Sequence, residues 1–352
     1  MTSSATYKVS VSFGGTKLAL GLLSPTSSLL AKTERVEWRD HPAWKKDDPL
    51  VSLLDLVARQ AQGLLQSMNV DISDVATIGL AWPGPGVYKE GLLRATFIPQ
   101  LERPQDIHTI LYQRFRETFG PAVAHVRIRS RLDAVARAWG ELRTHNGGFH
   151  NPEGAPIDGL LINIATGVAG AIVEGGAVVE VHRTLGETYG QWGRYLIKGS
   201  SGWSWRPTAD GSIPEFDRRS EVRFTDLCGG PALFKRWARN GPAPRDVNTE
   251  KETLIGITDE AYRHVGKCRH FVRVVGKEVG SAIACVVSAF FPEGFCERVV
   301  LTGGIGENFG RPLTPGQRLD FFLDTVSEEL AGFARKVTRT RLGLDAELIG
   351  AA

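Results

Sequence analysis

At 352 residues the chain is long for one hydrophobic core, so two domains are the default expectation. Its 42% hydrophobic and 23% charged content is that of an ordinary soluble globular protein. A net charge of +3 with scattered arginines leaves no electrostatic footprint for nucleic acid, and the longest apolar stretch, around Ile283 to Phe291, is far too short to span a bilayer.

The alternating run Tyr7-Lys8-Val9-Ser10-Val11 predicts a strand over Tyr7–Phe13, which delivers the turn Ser12-Phe13-Gly14-Gly15-Thr16-Lys17. Two glycines let backbone N–H groups approach an anion, and a hydroxyl and an ammonium add donors, so this turn reads as a phosphate loop. The position just before it would suit a metal-holding carboxylate, but it is Ser12. A second strand is expected at Leu18–Leu23 and a helix over Leu50–Met68, where Leu53, Leu54, Val57, Ala61 and Leu64 recur at helical spacing. Val75–Ala81 reads as a buried strand ending in the rigid turn Trp82-Pro83-Gly84-Pro85-Gly86. Another strand is placed at Val123–Ile128, ahead of an Ala-rich helix over Asp133–Arg143.

The second half repeats the style of the first. Gly159–Ile164 is a strand, Ala165-Thr166-Gly167 a turn, and Ala169–Val173 a strand again. Two related α/β lobes are therefore expected, each contributing a phosphate loop to a cleft between them. Gly199–Pro214, with Trp203 and Trp205 among serines and glycines, reads as an irregular loop. A long helix is expected over Thr258–Phe290, then a strand at Arg298–Thr302 ending in Gly303-Gly304. A helix over Arg318–Val337 and a short one over Asp345–Ala352 follow. The four cysteines, Cys228, Cys268, Cys285 and Cys296, form no CxxC pair, which argues against a structural zinc. So few in a chain this size point to reduced thiols and a cytoplasmic setting, and Met1–Ala5 starts no leader of basic-then-apolar type.

Taken in order, these motifs resemble the ROK family of sugar kinases, within the actin/hexokinase-like ATPase fold. Ser12–Lys17 stands where that family has Asp-x-Gly-Gly-Thr-Lys. Gly79–Gly86 is similar to its Gly-x-x-x-Pro-Gly-Pro loop, and Leu132–Glu141 lines up without a gap on Asn-Asp-Ala-Asn-Ala-Ala-Ala-Leu-Gly-Glu. Ala165–Ala171 resembles Gly-Thr-Gly-x-Gly-Gly-Gly, Val299–Ile305 the adenosine motif, and Gly229–Leu233 Ser-Gly-x-Ala-Leu. The tail Leu342–Ala352 looks like the family's ending. The resemblance runs from about Val9 to Ala352. It implies an α/β chain of two ribonuclease H-like lobes with the active site in the cleft. Residues 1–134 would form the first lobe and 135–335 the second, with 336–352 returning to the first.

The resemblance implies an ATP- and Mg²⁺-dependent kinase acting on a primary hydroxyl of a hexose-like sugar or cyclitol. Asp133 would be the base for the hydroxyl proton; without the resemblance, it reads equally as an acid favoured at a helix start. Gly14, Gly15, Thr16, Lys17, Thr166 and Gly167 would hold the phosphates. Gly229, Gly230, Gly303, Gly304, Glu307 and Asn308 would hold the nucleoside. Gly84, Pro85, Gln100, Leu132, Glu187, Gln191 and Asp226 would face the acceptor. A homodimer is implied as well, with no nucleic-acid or membrane partner.

Several positions depart from the family. Ser12 cannot supply the negative charge of the aspartate that usually positions Mg²⁺, and Leu132 replaces an asparagine that contacts the sugar. The closely spaced cysteines of the family's zinc motif are missing, so no zinc is expected. The usual histidine after Glu187 becomes Gln191, and Asp226 substitutes for a glutamate aligned near Thr225. These changes cluster on acceptor contacts and point to an unusual polyol, with C7-cyclitols (valienone-like) of natural-product pathways as one class. A catalytically impaired sugar-binding protein or a regulator is the competing expectation. The regulators of this family carry a helix-turn-helix ahead of the first strand, where this sequence has only the residues before Tyr7.

Overall fold

A computed structural model describes residues 6–14, 17–38, 41–42, 48–83, 92–93, 105–179, 196–197, 204–205, 216–217, 222–240, 250–263, 266–291, 293–311 and 319–352. The opening strand–turn–strand is β1 (Tyr7–Phe13) and β2 (Lys17–Leu23), followed by β3 (Leu29–Lys32), β4 (Val36–Glu37), α1 (Pro49–Ser67) and β5 (Val75–Trp82). Next come β6 (Leu92–Leu93), β7 (Gln105–Asp106), α2 (Ile107–Phe119), β8 (Arg127–Leu132) and α3 (Asp133–Arg143). The chain continues through β9 (Gly159–Ile164), β10 (Val168–Glu174), β11 (Ala177–Val178) and the short β12 (Leu196–Ile197), β13 (Ser204–Trp205), β14 (Phe216–Asp217) and β15 (Val222–Arg223). Helices α4 (Phe224–Cys228), α5 (Gly230–Asn240), α6 (Glu250–Tyr262) and α7 (Gly266–Phe290) follow. The chain ends with β16 (Cys296–Thr302), α8 (Gly303–Asn308), α9 (Phe321–Glu329), β17 (Ala334–Arg339) and α10 (Leu344–Ala351).

Three expected elements are corrected. The strand placed at 123–128 lies at 127–132, because Gly120–Val123 is a 3₁₀ turn that buries Val123 without strand pairing. Among the described residues β8, Arg-Ile-Arg-Ser-Arg-Leu, pairs with β5 alone, as suits a charged edge strand. The single helix over 258–290 is two, α6 ending at Tyr262 and α7 opening at Gly266, a residue that weakens helix continuity. The helix over 318–337 stops at Glu329, before Gly332, and Ala334–Arg339, with β-branched Val337 and Thr338, pairs in parallel with β16.

Two sheets share one connectivity. The first has the order β3-β2-β1-β5-β8, with β2 antiparallel to β1 and β1, β5 and β8 parallel. In the second, β10 is antiparallel to β9, and β9, β16 and β17 are parallel. One compact unit takes the described residues within Met1–Gly147, Ala177–Gly190 and Leu342–Ala352, so α3 falls whole within it. The other takes those within Gly148–Gly176 and Gln191–Arg341.

In the first unit the period of two along β1 sorts its side chains. Val9, Val11 and Phe13 enter a core with Leu53, Leu54 and Val57 of α1 and Leu111 and Phe115 of α2. Both helices are capped by aspartates, Asp48 accepting from Val51 N and Asp106 from Thr109 N. Phe13 stacks on Trp82 and Trp38, with ring centroids 4.9 and 5.6 Å apart. The other face of the sheet is made of small residues, Ser10 and Ser12 on β1 and Gly79 and Ala81 on β5, all buried. α10 and α3 lie there, Ala81, Ala136 and Ala351 packing together.

Close approach is what the glycines at this face provide. A Cβ on Gly140 would strike the carbonyl of Ala346, one on Gly350 that of Ala136, and one on Gly79 that of Ala351. The last carbonyls of α10 are then met by arginines: Arg131 Nη1 donates to Gly350 O at 2.7 Å, and Arg143 Nη1 to Ala352 O at 3.2 Å. The second unit is built around α7, where Glu278 takes both Arg236 Nη1 (2.7 Å) and Nη2 (2.9 Å) in a buried fork. Arg236 also donates to Leu227 O at 2.9 Å, which ties α4 and α5 to α7.

Candidate functional site

Asp133 opens α3 directly after β8, and its Oδ1 accepts from Ala134 N at 2.7 Å. Half-buried, it sits at a helix start where the dipole favours a carboxylate. Burial outweighs that preference. Desolvation first, and the negative charge of Glu347 second, push its pKa up to about 7; Arg137 and two backbone N–H groups pull the other way. Leu132, its neighbour in sequence, is buried at the end of β8.

Glu347 was not singled out from the sequence. It is 2% exposed on α10, and Ser12, 4% exposed on β1, donates its hydroxyl hydrogen to Glu347 Oε1. Arg137, one helical turn beyond Asp133, donates Nε to Glu347 Oε2 at 2.9 Å, with Nη2 also 2.9 Å away. The available signal was a lone charge within Ala346-Glu347-Leu348-Ile349-Gly350-Ala351, a segment otherwise small and apolar.

The turn after β1 is pinned by Gly14, whose N–H donates to Lys17 O at 2.8 Å and whose carbonyl accepts from Trp38 Nε1 at 2.8 Å. Gly14 therefore serves the turn itself. Lys17 reaches Glu37 at 2.9 Å.

In the second unit the structure brings the nucleotide candidates together at the ends of β9 and β16. Ala165 N bonds Gly167 O at 2.8 Å, closing the turn on which Thr166 is exposed. Gly230 N donates to Ala165 O at 2.8 Å, and Val168 N to Thr225 Oγ1 at 3.3 Å, so the start of α5 is fixed to this turn. Glu307 Oε1 accepts from Thr302 Oγ1 and Gly303 N, each at 2.9 Å, and Asn308 Nδ2 donates to Gly304 O at 3.1 Å. Arg339 holds the far end of α8 through the carbonyls of Gly306 and Phe309. Thr225, Arg339 and Asn163 are supporting residues the motifs did not reveal. Asn163 is buried beside Gly303, and its Oδ1 has no hydrogen-bond partner among the described residues.

Gly303 has φ +84°, and a Cβ there would meet Asn163 Oδ1 and the carbonyl of Ile164; Gly304 has nothing within 4 Å. Gly303→Ala is thus expected to destabilise by about 1–3 kcal/mol, while Gly304→Ala stays within about 0.5 kcal/mol of the native protein. Urea unfolding of both variants checks this, and equal midpoints would refute the contrast.

No protein-family model matches the sequence, and no curated protein matches it. Solved structures do. A ROK hexokinase from Thermus thermophilus gives a TM-score of 0.65 at 24% identity, over 99% of this chain and 97% of that one. A ROK family glucokinase from Streptomyces griseus, in complex with glucose and AMPPNP, gives 0.61 at 18% identity over 99% and 98%. The chain has the ROK fold. A ROK family transcriptional regulator, a homologue of the E. coli MLC protein, shares that fold at a TM-score of 0.65 and 16% identity, over 98% of this chain and 76% of its own.

Within this ROK fold, Gly15, Thr16, Gly84, Pro85, Gln100, Glu187 and Gln191 lie outside the described residues, as does nearly all of the 199–214 segment. Asp226 is exposed in the first turn of α4, next to Thr225. The residues around position 12 do not fit a metal held by the protein. Ser12 is neutral and commits its proton to Glu347, whose two oxygens are engaged by Ser12 and Arg137. Among the described residues no three His, Cys, Asp or Glu side chains converge as metal ligands, and no helix is long and apolar enough to cross a membrane.

Proposed function

We propose that this chain is an ATP-dependent kinase that transfers the γ-phosphoryl group of ATP to a primary hydroxyl of a hexose-like sugar or cyclitol. The observation that carries the reading is Asp133, a carboxyl at the start of α3 whose pKa is held at about 7. The fold, shared with a hexokinase and with a glucokinase bound to glucose and AMPPNP, supports it. In the reaction the acceptor oxygen bonds to the γ-phosphorus, the bond from that phosphorus to the bridging oxygen of ADP breaks, and the hydroxyl proton passes to Asp133. A base whose pKa lies near working pH is well matched to that transfer, contributing about 10²–10⁴ in rate.

The nucleotide end of the reading rests on the Thr166-Gly167 turn and on Gly304, Glu307 and Asn308 of α8, with Gly229, Gly230 and Gly303 shaping the site, since their amides are committed to Thr225 O, Ala165 O and Glu307 Oε1. Magnesium reaches this chain carried by the phosphates of ATP. At the acceptor end, the residue preceding the proposed base is Leu132, apolar and buried. That favours an acceptor with fewer hydrogen-bonding groups than glucose at this point, such as a C7-cyclitol of valienone type.

The test is ADP release with Mg²⁺ and ATP across hexoses, amino sugars and cyclitols. The expected result is strong stimulation by one acceptor class. ATP binding with no turnover on any acceptor would sink the kinase reading. It would favour a sugar-binding protein or regulator, the reading that the uncharged Ser12 and the likeness to a regulator support.

A further inference from the structure

We propose that Glu347 of α10 is a positioning residue for Asp133, bringing to the candidate catalytic end of α3, from the C-terminal helix, the negative charge that β1 lacks at position 12. The inference rests on Asp133 being the base. It begins from a cost: Glu347 is a charge 2% exposed, set in α10 between Ala346 and the run Leu348-Ile349-Gly350-Ala351. Small apolar packing at this face has no need of a carboxylate, and a buried ion pair seldom stabilises more than an apolar replacement would. What Glu347 does touch is functional in location. Its Oε1 takes the Ser12 hydroxyl, and its Oε2 takes Arg137 Nε at 2.9 Å.

Arg137 is the i, i+4 neighbour of Asp133 on α3, the spacing at which an aspartate and an arginine pair on a helix. By engaging Arg137 from the other side, Glu347 opposes its drawing Asp133 into a fully ionised salt bridge. Glu347 also acts directly. Among the described residues two charged groups bear on Asp133, Glu347 of α10 raising its pKa and Arg137 of α3 lowering it. Both effects of Glu347 keep Asp133 a stronger base. The Ser12 hydroxyl fixes the rotamer from which this happens, so the serine at position 12 and the glutamate at 347 work as one unit across 335 residues of sequence.

The experiment follows Asp133 in the native protein, Glu347→Gln, Ser12→Asp and the double variant Ser12→Asp/Glu347→Gln. The acid limb of kcat/KM is measured with ATP and the best acceptor. The Asp133 carboxyl is titrated by ¹³C NMR, assigned by its loss in Asp133→Asn. Glu347→Gln should move both the limb and the titration to lower pH by about one unit, since it removes a like charge. Ser12→Asp should move them upward, and the double variant should return toward native, because the charge is restored from β1. An Asp133 titration in Glu347→Gln that overlays the native curve overturns the proposal. If Glu347→Gln does not fold, an unmoved titration in Ser12→Asp overturns it equally. The NMR arm needs no turnover, so the two readings fail separately. An inactive protein whose Asp133 titration still shifts refutes the kinase and supports the electrostatic role of Glu347.

Discussion

Asp133→Asn is expected to cut turnover by about 10²–10⁴ while making the protein more stable at pH 8. The substitution keeps the shape and the oxygen that accepts from Ala134 N, so α3 retains its first turn. On the kinase reading it removes the proposed acceptor of the hydroxyl proton. The stability change follows from the raised pKa. In the unfolded chain Asp133 titrates near its ordinary 3.8, but in the fold it titrates at about 7. Between those values the folded protein holds a proton that the unfolded chain has released, so this group's contribution to stability falls as pH rises through the window. Above pH 7 the half-buried carboxylate is a full penalty, and asparagine relieves it. Discounted for its partial exposure, the gain is about 1–3 kcal/mol. Melting curves at pH 8 and pH 4 check the sign: the variant should melt higher at pH 8, with the advantage gone at pH 4. On the same reading the native protein should lose kinase activity as pH falls below 7, because a protonated Asp133 accepts nothing. A variant that melts lower than native at pH 8 would mean that the carboxylate is stabilising, which contradicts a pKa raised by desolvation and by the charge of Glu347.

The parts of this site that were legible in the sequence are those carried by local chemistry. Tyr7–Phe13, Gly159–Ile164 and Asp133–Arg143 form the elements their patterns predict, because alternation or an Ala-rich run is bounded by glycine turns or an acidic start. Errors fell where two periodicities are hard to separate. Val123 and Val126 look like strand residues but bury themselves from a 3₁₀ turn and the residue just before β8, and the apolar positions of 318–337 belong partly to a strand. Ser12 shows the deeper limit. Read alone it is a missing carboxylate at the end of an alternating strand. In the fold that polar face is covered by α10, and a carboxylate arrives from residue 347. No local pattern links the two positions, since only the small side chains at Ser10, Gly79, Ala81, Gly140 and Gly350 make room for the helix that joins them.

That dependence gives the second large effect. On propensity alone, Gly350→Ala and Gly140→Ala should stabilise, because alanine is about 1 kcal/mol better than glycine inside a helix. Packing predicts the reverse sign. The new methyl would fall on the backbone of the opposing helix, Ala136 for Gly350 and Ala346 for Gly140, and backbone cannot swing aside as a side chain does. The helices must separate, at a cost of about 1–3 kcal/mol or more. Gly63→Ala on α1 is the matched control, with nothing within 4 Å of its Cβ, and should raise the urea midpoint. If Gly350→Ala also raises it, the close crossing of α3 and α10 is wrong. If it lowers the midpoint as expected, the functional consequence is specific. Parting α10 from α3 withdraws Glu347 from Arg137 and from Ser12, so Asp133 loses the negative charge that raises its pKa while Arg137 stays on its own helix. On the kinase reading the surviving folded protein should then lose activity with its acid limb displaced to lower pH, the same direction as in Glu347→Gln. A purely structural defect would lower activity without moving that limb, which makes the pH profile of Gly350→Ala the measurement that links the helix crossing to the protonation of Asp133.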